Sequence, residues 1–239
     1  MKICIAQTRP TAGDIPDNME SHKRWIAAAV LKNADMVFFP ELSLTGYEPK
    51  LADGLAIDPD DKILDGFQVI SDRENITIGA GVPTRHGSGI RISIAIFSPN
   101  QPRQVYSKQI LHEDEFPYFE NGRLQVVLEC QNEKVSPAIC YESLQTEHAD
   151  KAAEMGVKIY VACVAKSAGG VVKAYNHYRE IAIKHGMVVL MANSVGTCDD
   201  FISAGRSGIW NTHGELVAQL NDRDEGILLF DTFSGKALW

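Results

Sequence analysis

Short apolar segments recur along the whole chain, and polar or glycine-containing connectors separate them. Segments of this length that are rich in β-branched and aromatic residues are typical of β-strands. The pattern predicts strands at 2–8, 35–39, 76–82, 90–97, 103–107, 125–129, 134–140, 158–164, 187–193, 202–210, 214–219 and 226–231.

Helical periodicity is found in fewer segments. Asp17 is a candidate N-cap for the first of them, and Gly156 ends the third. Because strands outnumber helices, a single β-α wound sheet does not use all the elements. Two facing sheets with helices on their outer faces would use them all. Apolar residues three and four positions apart predict helices at 18–32, 62–71, 145–155 and 171–184.

No linker or low-complexity tract divides the 239 residues, so we predict a single domain over residues 1–239. The apolar fraction of 45% and the charged fraction of 23% are those of an ordinary globular protein. A net charge of -8 argues against a nucleic-acid partner. The N-terminus has no leader pattern and no apolar run is long enough to span a bilayer, so we expect a cytoplasmic protein without a membrane partner.

The cysteines are odd in number and contain no C-x-x-C pair, which argues against a disulfide framework and a zinc site. Most free cysteines are buried thiols. Cys140 differs because it ends the strand-like stretch VSPAIC, and a helix-like segment follows it. A helix N-terminus lowers the pKa of a thiol, so Cys140 is either a structural thiol or a nucleophile. The five cysteines are Cys4, Cys130, Cys140, Cys163 and Cys198.

Other polar residues also follow predicted strands. Glu41 follows an apolar strand in FFPELSLTGYEP, and burial there would raise its pKa towards the range of a general base. Lys108 ends another strand, before an acidic and aromatic loop. Each has an ordinary alternative, a solvated loop glutamate and an edge charge. Lys166 and Asn193 end later strands, where either functional residues or simple turns occur.

Taken together, these segments resemble the nitrilase superfamily of carbon–nitrogen hydrolases. FFPELSLTGYEP, VYSKQIL and AICYES occur in the family order, and the resemblance extends from KICIAQTRP to GELVAQLNDRDEGILLFD. The resemblance implies a four-layer α-β-β-α sandwich that forms a homodimer or a higher homo-oligomer. It implies no metal and no organic cofactor.

The resemblance also implies roles for individual residues. Cys140 is the expected nucleophile, Glu41 the general base and Lys108 the cation that stabilises the oxyanion. Glu115 matches the second glutamate of the family, with Glu113 as the rival position in this loop. The expected reaction hydrolyses a non-peptide carbon–nitrogen bond through a cysteine thioester. Small amides or N-carbamoyl compounds are favoured over nitriles.

The residues after the cysteine depart from the family pattern. An acid is kept as Glu142, but the usual arginine and Phe-Pro pair are missing from 141–147. The walls of the pocket are therefore the least defined part of the expected site. Lys166 is expected to meet a substrate carboxylate, which would suit an ω-amidase or a carbamoyl-amino-acid substrate. The residues expected to line the pocket are Tyr47, Phe116, Tyr141, Lys166 and Asn193.

Two other functions remain open from the sequence. One is a Cys-His hydrolase, which needs a histidine beside Cys140. None of the candidate histidines lies in a recognisable signature. The other is a catalytically silent member of the fold that serves as a binding module. The candidate histidines are His112, His148, His177, His185 and His213.

Overall fold

The computed structural model describes residues 1–238, and Trp239, the last residue of the predicted domain, lies outside the described residues. Most of the strands belong to two sheets. In chain order the strands are β1 (Lys2–Gln7), β2 (Met36–Phe38), β3 (Thr77–His86), β4 (Gly89–Phe97), β5 (Gln104–Ser107), β6 (Leu128–Cys130), β7 (Glu133–Ile139), β8 (Ile159–Val164), β9 (Val188–Asn193), β10 (Val195–Cys198), β11 (Phe201–Ala204), β12 (Gly208–Trp210), β13 (Leu216–Gln219), β14 (Gly226–Asp231) and β15 (Lys236–Leu238). The helices are α1 (Ile15–Leu31), α2 (Ala52–Leu55), α3 (Asp65–Glu74), α4 (Thr146–Glu154) and α5 (Ala168–His185).

The first sheet has the strand order β15-β14-β1-β2-β3-β4-β5, and the second has the order β13-β12-β9-β8-β7-β6. Strands β1, β2 and β3 are parallel in the first sheet, as are β7, β8 and β9 in the second. The strands β10 and β11 form a separate antiparallel ribbon. Because parallel strands deliver their C-terminal ends to one edge, each sheet presents a row of loops there.

The side chains of each strand alternate between two cores. In β1, Ile3 and Ile5 enter the core between the sheets, whereas Cys4 and Ala6 pack under α1. In β8, alternate residues likewise face the first sheet or the helices α4 and α5. Strands buried on both faces are apolar throughout, which is why their segments stand out in the sequence. The expected four-layer α-β-β-α sandwich is confirmed.

The helices α1 and α5 begin earlier than the periodicity predicts, at Ile15 and Ala168, whereas α3 and α4 begin later, at Asp65 and Thr146. The N-cap of α1 is Asp14 rather than Asp17, and its side chain accepts a hydrogen bond from the Asp17 N–H. Pro16 fits the first turn because its missing N–H has no partner there. Ser167 caps α5 ahead of a pair of glycines that weaken the helical pattern. No helix within residues 1–238 is long and apolar enough to cross a membrane.

The predicted strand at 202–210 is wrong, because the chain breaks it in two. Gly205 and Arg206 have φ values of 54° and 55°, which place both in the left-handed region that a strand does not use. The break separates β11, in the ribbon, from β12, in the second sheet. The short strands β10 and β15 were not predicted.

Candidate active site

Loops from both sheets meet around one cavity of about 570 Å³. This volume is within the range of small-molecule sites, roughly 300–1,000 Å³. Lys108 reaches the cavity from the end of β5, Cys140 from the end of β7 and Lys166 from the loop after β8. Glu115 lies on the same wall, and Glu41 is buried beside Lys108. The four residues expected to carry the chemistry are therefore neighbours.

Lys108 is the centre of a buried ion-pair chain. Its Nζ donates to Glu41 Oε1 at 2.8 Å and to Glu115 Oε1 at 2.6 Å. Burial by itself lowers the pKa of the Lys108 ammonium, but the two carboxylates outweigh it and raise the pKa. Lys108 thus stays charged, and one of its three N–H bonds is not used by these carboxylates.

Glu41 is buried next to both Lys108 and the Cys140 thiol. Burial raises its pKa, while Lys108 and a contact with the Cys140 thiol lower it, so the carboxyl and the thiol are neighbours. Glu41 Oε2 is buried and has no hydrogen-bond partner within the described chain. A carboxyl group with a raised pKa and a free oxygen beside a thiol is suited to exchanging a proton with it.

The structure distinguishes between the two glutamates of the acidic loop. Glu115 is buried at the end of a 3₁₀ turn, Glu113–Glu115, whereas Glu113 is exposed. Glu115 Oε1 also accepts from the Tyr47 hydroxyl at 3.0 Å, and Oε2 accepts from the His112 N–H at 2.7 Å. These contacts fix the carboxylate, which in turn fixes the Lys108 ammonium.

Cys140 follows the last residue of β7 in a left-handed conformation, with φ at 43°. This conformation is uncommon for a residue other than glycine and occurs where surrounding contacts impose it. The Cys140 N–H donates to the Cys163 carbonyl at 3.0 Å, which holds the turn against β8. Cys140 Sγ then lies 3.7 Å from the Ala165 carbonyl and 3.6 Å from Lys166 Nζ.

The surroundings of this thiol differ from those the sequence indicated. A 3₁₀ turn, Glu142–Leu144, follows Cys140, and α4 begins only at Thr146. The expected lowering of the pKa by a helix N-terminus is therefore wrong. Burial and then Glu41 raise the pKa of the Cys140 thiol, Lys166 and then Lys108 lower it, and the net result is a pKa of about 11.

Glu142 connects the cysteine loop to the lysine loop. Its Oε1 accepts from the Ile139 N–H at 2.7 Å and from the Tyr106 hydroxyl at 2.5 Å. Its Oε2 accepts from the Gln109 N–H at 2.5 Å. Burial raises the pKa of Glu142 to about 7, although these donors lower it. The Tyr106 hydroxyl also lies 2.8 Å from His148 Nε2, which extends the network under α4.

The structure brings Tyr47, Tyr141 and Lys166 to the cavity wall, as expected, but not Phe116 and Asn193. Phe116 is 58% exposed, and Asn193 is buried behind Lys166. The backbone N–H of Tyr141 makes no hydrogen bond to another backbone group within residues 1–238, so it is a candidate oxyanion donor. Further wall residues that sequence reasoning missed are His112, Tyr118, Asp199 and Phe201. Asp199 and Phe201 belong to the β10–β11 ribbon, which the strand pattern did not show.

The contacts of Cys140 do not support a Cys-His pair. Among the described residues, no histidine lies within hydrogen-bonding distance of Cys140 Sγ. The side-chain nitrogen at that distance is Lys166 Nζ. His112 reaches the cavity but packs edge-on against Tyr141, and its Nδ1 pairs with Asp114.

Comparison with curated proteins found relatives among glutamine-dependent NAD(+) synthetases. The chain is 27% identical over 227 residues to the enzyme of Acinetobacter baylyi, which covers 91% of this chain and 41% of that protein. It is 26% identical over 269 residues to the enzyme of Synechocystis sp., which covers 98% of this chain and 47% of that protein. The chain therefore spans less than half the length of these relatives.

Comparison with solved structures found an amidase from Nesterenkonia sp. AN1, with a TM-score of 0.88 and 20% sequence identity. The match covers 97% of this chain and 92% of the amidase. A variant of the same amidase in complex with butyramide matches with a TM-score of 0.87 and 19% identity. At this identity the likeness concerns the fold. The sequence model of the family described as carbon–nitrogen hydrolase matches residues 2–232. The chain therefore belongs to the carbon–nitrogen hydrolase family, in the nitrilase superfamily that its three motifs resemble.

Proposed function

We propose that the protein hydrolyses the carbon–nitrogen bond of a small amide or N-carbamoyl compound through a thioester on Cys140. The observation that carries the proposal is the convergence of Glu41, Lys108 and Cys140 beside one small-molecule cavity. A base, a fixed cation and a thiol in this arrangement are the groups that acyl transfer requires. The nearby Glu115 keeps the cation in place.

In the acylation half, Glu41 takes the Cys140 S–H proton as the sulfur attacks the substrate carbonyl carbon. The C–S bond forms, and the π electrons of the carbonyl move to its oxygen. The remaining N–H of Lys108 and the Tyr141 backbone N–H are the donors that we assign to this oxyanion. Removing one such donor typically costs about 3–4 kcal/mol of transition-state stabilisation. The oxyanion then collapses, the C–N bond breaks, and Glu41 returns the proton to the departing ammonia or amine.

In the deacylation half, water replaces the departed amine. Glu41 takes a proton from the water as its oxygen attacks the thioester carbon. When the second oxyanion collapses, the C–S bond breaks, its electron pair goes to the sulfur, and the proton returns from Glu41 to Cys140. The products are a carboxylic acid or a carbamic acid and the free thiol, so every proton is accounted for.

L-glutamine is a second candidate substrate within the same reaction. The curated relatives are glutamine-dependent enzymes, and this chain spans 41% and 47% of the two compared above. With this substrate, Cys140 would attack the side-chain amide of glutamine, and ammonia would be the product. The side-chain amide of glutamine requires the same Cys140 chemistry as any other small amide. Its α-carboxylate and α-ammonium groups differ in what they require the cavity walls to bind.

A substrate panel tests the proposal. Ammonia release is measured with short aliphatic amides, ω-amides of dicarboxylic acids, N-carbamoyl amino acids, L-glutamine and nitriles. We expect turnover of at least one amide or carbamoyl compound, no turnover by Cys140→Ala, and a loss of about 10²–10⁴-fold by Glu41→Gln. Mass spectrometry should show an acyl adduct on Cys140 in a rapidly quenched reaction.

The panel also separates the alternatives. Turnover of nitriles alone would contradict the amidase proposal. A Glu41→Gln variant with unchanged activity would favour a different base, as in a Cys-His enzyme. The absence of both turnover and a Cys140 adduct with every class of compound would leave a catalytically silent binding module as the better description.

A further inference from the structure

Lys166 presents a second ammonium group to the nucleophile. Its Nζ lies 3.6 Å from Cys140 Sγ, and the residue is only 6% exposed. Within residues 1–238, no carboxylate oxygen lies within ion-pair distance of this nitrogen, in contrast to Lys108. A buried ammonium group is costly unless a partner of opposite charge compensates for it. The thiolate form of Cys140 is such a partner.

The backbone of Lys166 is fixed from behind. The Lys166 N–H donates to Asn193 Oδ1 at 2.8 Å, and the Lys166 carbonyl accepts from Asn193 Nδ2 at 3.2 Å. The same carbonyl accepts from the Ala204 N–H at 2.9 Å and from Ser203 Oγ at 3.3 Å. These bonds tie the loop after β8 to β9 and to β11. The backbone from which the Lys166 side chain extends towards the sulfur is therefore fixed.

The charges of the site balance only when Lys166 is included. With a neutral thiol, Glu41 and Glu115 together carry two negative charges, and Lys108 carries only one positive charge. Lys166 supplies the missing positive charge. The balance is kept when the thiol proton moves to Glu41, because the new thiolate replaces the charge that Glu41 loses. Without Lys166, the thiolate would form in a buried cluster that is already one unit negative.

We propose that Lys166 is an additional catalytic residue that stabilises the Cys140 thiolate electrostatically during both halves of the reaction. In this role Lys166 acts as a cation and transfers no proton. During acylation it faces the sulfur charge until the C–S bond forms, and during deacylation it faces the charge that returns when that bond breaks. The inference rests on the proposed hydrolase function and replaces the expectation that Lys166 meets a remote substrate carboxylate.

The reactivity of the Cys140 thiol tests this role without any turnover. Iodoacetamide, a neutral reagent, is applied across a pH series, and mass spectrometry follows alkylation at Cys140 alone. We expect Lys166→Met to lower the rate near neutral pH by about tenfold or more, since one pKa unit changes the thiolate fraction tenfold. Lys166→Arg should stay within about threefold of the wild type. Lys184→Met, at an exposed lysine paired with Asp150, should leave the rate unchanged.

Other charged and titratable groups contribute to this pH profile in every variant, so the comparison uses differences from the wild type. Tyr178 faces this thiol from α5, and His177 faces Lys166 from the same helix. The groups that face Cys140 and Lys166 are Glu41, Tyr47, Lys108, Glu115, His177 and Tyr178.

Steady-state kinetics provide the second readout. With a neutral short amide, Lys166→Met should lower kcat about tenfold and leave KM unchanged. An unchanged alkylation profile with a raised KM for carboxylated amides alone would overturn the proposal and make Lys166 a carboxylate anchor. If Lys166→Met does not fold, Lys166→Gln removes the same charge. A change in alkylation without turnover of any substrate would retain this role for Lys166 and reject the hydrolase function, so the two failures are distinguishable.

Discussion

The two walls of the site hold their side chains in different ways. On the first-sheet wall, Glu41, Lys108 and Glu115 are fully buried and joined by hydrogen bonds of 2.6 and 2.8 Å. On the second-sheet wall, the hydrogen bonds of Cys140 Sγ with the Ala165 carbonyl and Lys166 Nζ are longer, at 3.7 and 3.6 Å. The charged groups are thus fixed in advance, while the atom that must form and break a bond keeps loose contacts.

The difference lies in the side chains, because both backbones are tightly held. Asn193 fixes the loop that carries Lys166, and Glu142 binds the N–H groups of Ile139 and Gln109. The rigid backbone keeps Cys140 beside Glu41 and Lys108, while its sulfur can still move towards the substrate carbon. Such preorganisation is worth more to catalysis than close packing of the reacting atom itself.

Removing one lysine from each wall should have the largest and most unequal effects. Lys108→Met leaves two buried carboxylates without their shared cation, and breaking a buried ion pair costs about 3–5 kcal/mol of folding free energy. Lys166→Met breaks no ion pair within residues 1–238 and leaves Lys108 bound to both carboxylates, so its unfolding free energy should change by less than about 1 kcal/mol. Urea denaturation of both variants measures the difference.

The same pair of variants tests the origin of the difference. Glu115→Gln combined with Lys108→Met removes one of the two carboxylates and should recover part of the loss. Equal destabilisation by Lys108→Met and Lys166→Met would contradict the idea that only the first wall depends on its internal ion pairs.

Glu142 connects the cysteine loop to the lysine loop, and its contribution to the unfolding free energy should depend on pH. Burial raises the pKa of Glu142 from 4.5 to about 7. The folded protein therefore holds a proton that the unfolded chain releases, and the stabilisation is fully present below pH 4.5. It is lost as the pH rises through about 7. The shift corresponds to about 3 kcal/mol.

The Glu142→Gln variant has no carboxyl proton to release, so its unfolding free energy should not decline over this pH range. We expect the unfolding free energy of the wild type to fall relative to that of the variant by about 3 kcal/mol across this pH interval. Guanidinium denaturation at several pH values measures it. Glu147→Gln makes the same change at an exposed position of α4 and should follow the wild type. Parallel pH curves for wild type and Glu142→Gln would mean that Glu142 keeps an ordinary pKa.

The sequence predicts the first wall better than the second. Strands buried on both faces are visible as apolar segments, and Glu41 and Cys140 each follow one, while Lys108 follows the edge strand β5. The sandwich and the order of these residues could therefore be predicted. The choice of Glu115 over Glu113 depends on a 3₁₀ turn, whose short-range geometry no periodicity reports.

The position of Lys166 depends on contacts that are distant in sequence. Ser203 and Ala204 hold its carbonyl, and they do so because the chain breaks at Gly205 and Arg206. The apolar pattern instead predicted a continuous strand across that break. Asn193 was expected on the cavity wall because it ends a strand. The end of a strand indicates the edge of the sheet, but it does not indicate to which side of the loop a side chain points.

The last comparison concerns the backbone of the first wall. Gly81, in β3, lies so close to the Glu41 loop that an added Cβ would stand 2.2 Å from the Pro40 carbonyl oxygen and 2.5 Å from Leu42 N. Gly81→Ala should therefore push the loop outward. We expect a loss of about 1–3 kcal/mol in unfolding free energy. A displacement of Glu41 by about 1 Å should lower kcat by about 10²-fold.

Gly66→Ala is the matched control. Gly66 lies in α3, where an added Cβ meets no atom within 4 Å. Alanine is the better helix former, so this variant should gain about 0.5–1 kcal/mol without a change in kcat. The two variants add the same methyl group, and only the one beside Glu41 should affect the chemistry. A Gly81→Ala variant that loses stability but keeps its kcat would show that the Glu41 loop tolerates displacement, and that the first wall is less rigid than its hydrogen bonds indicate.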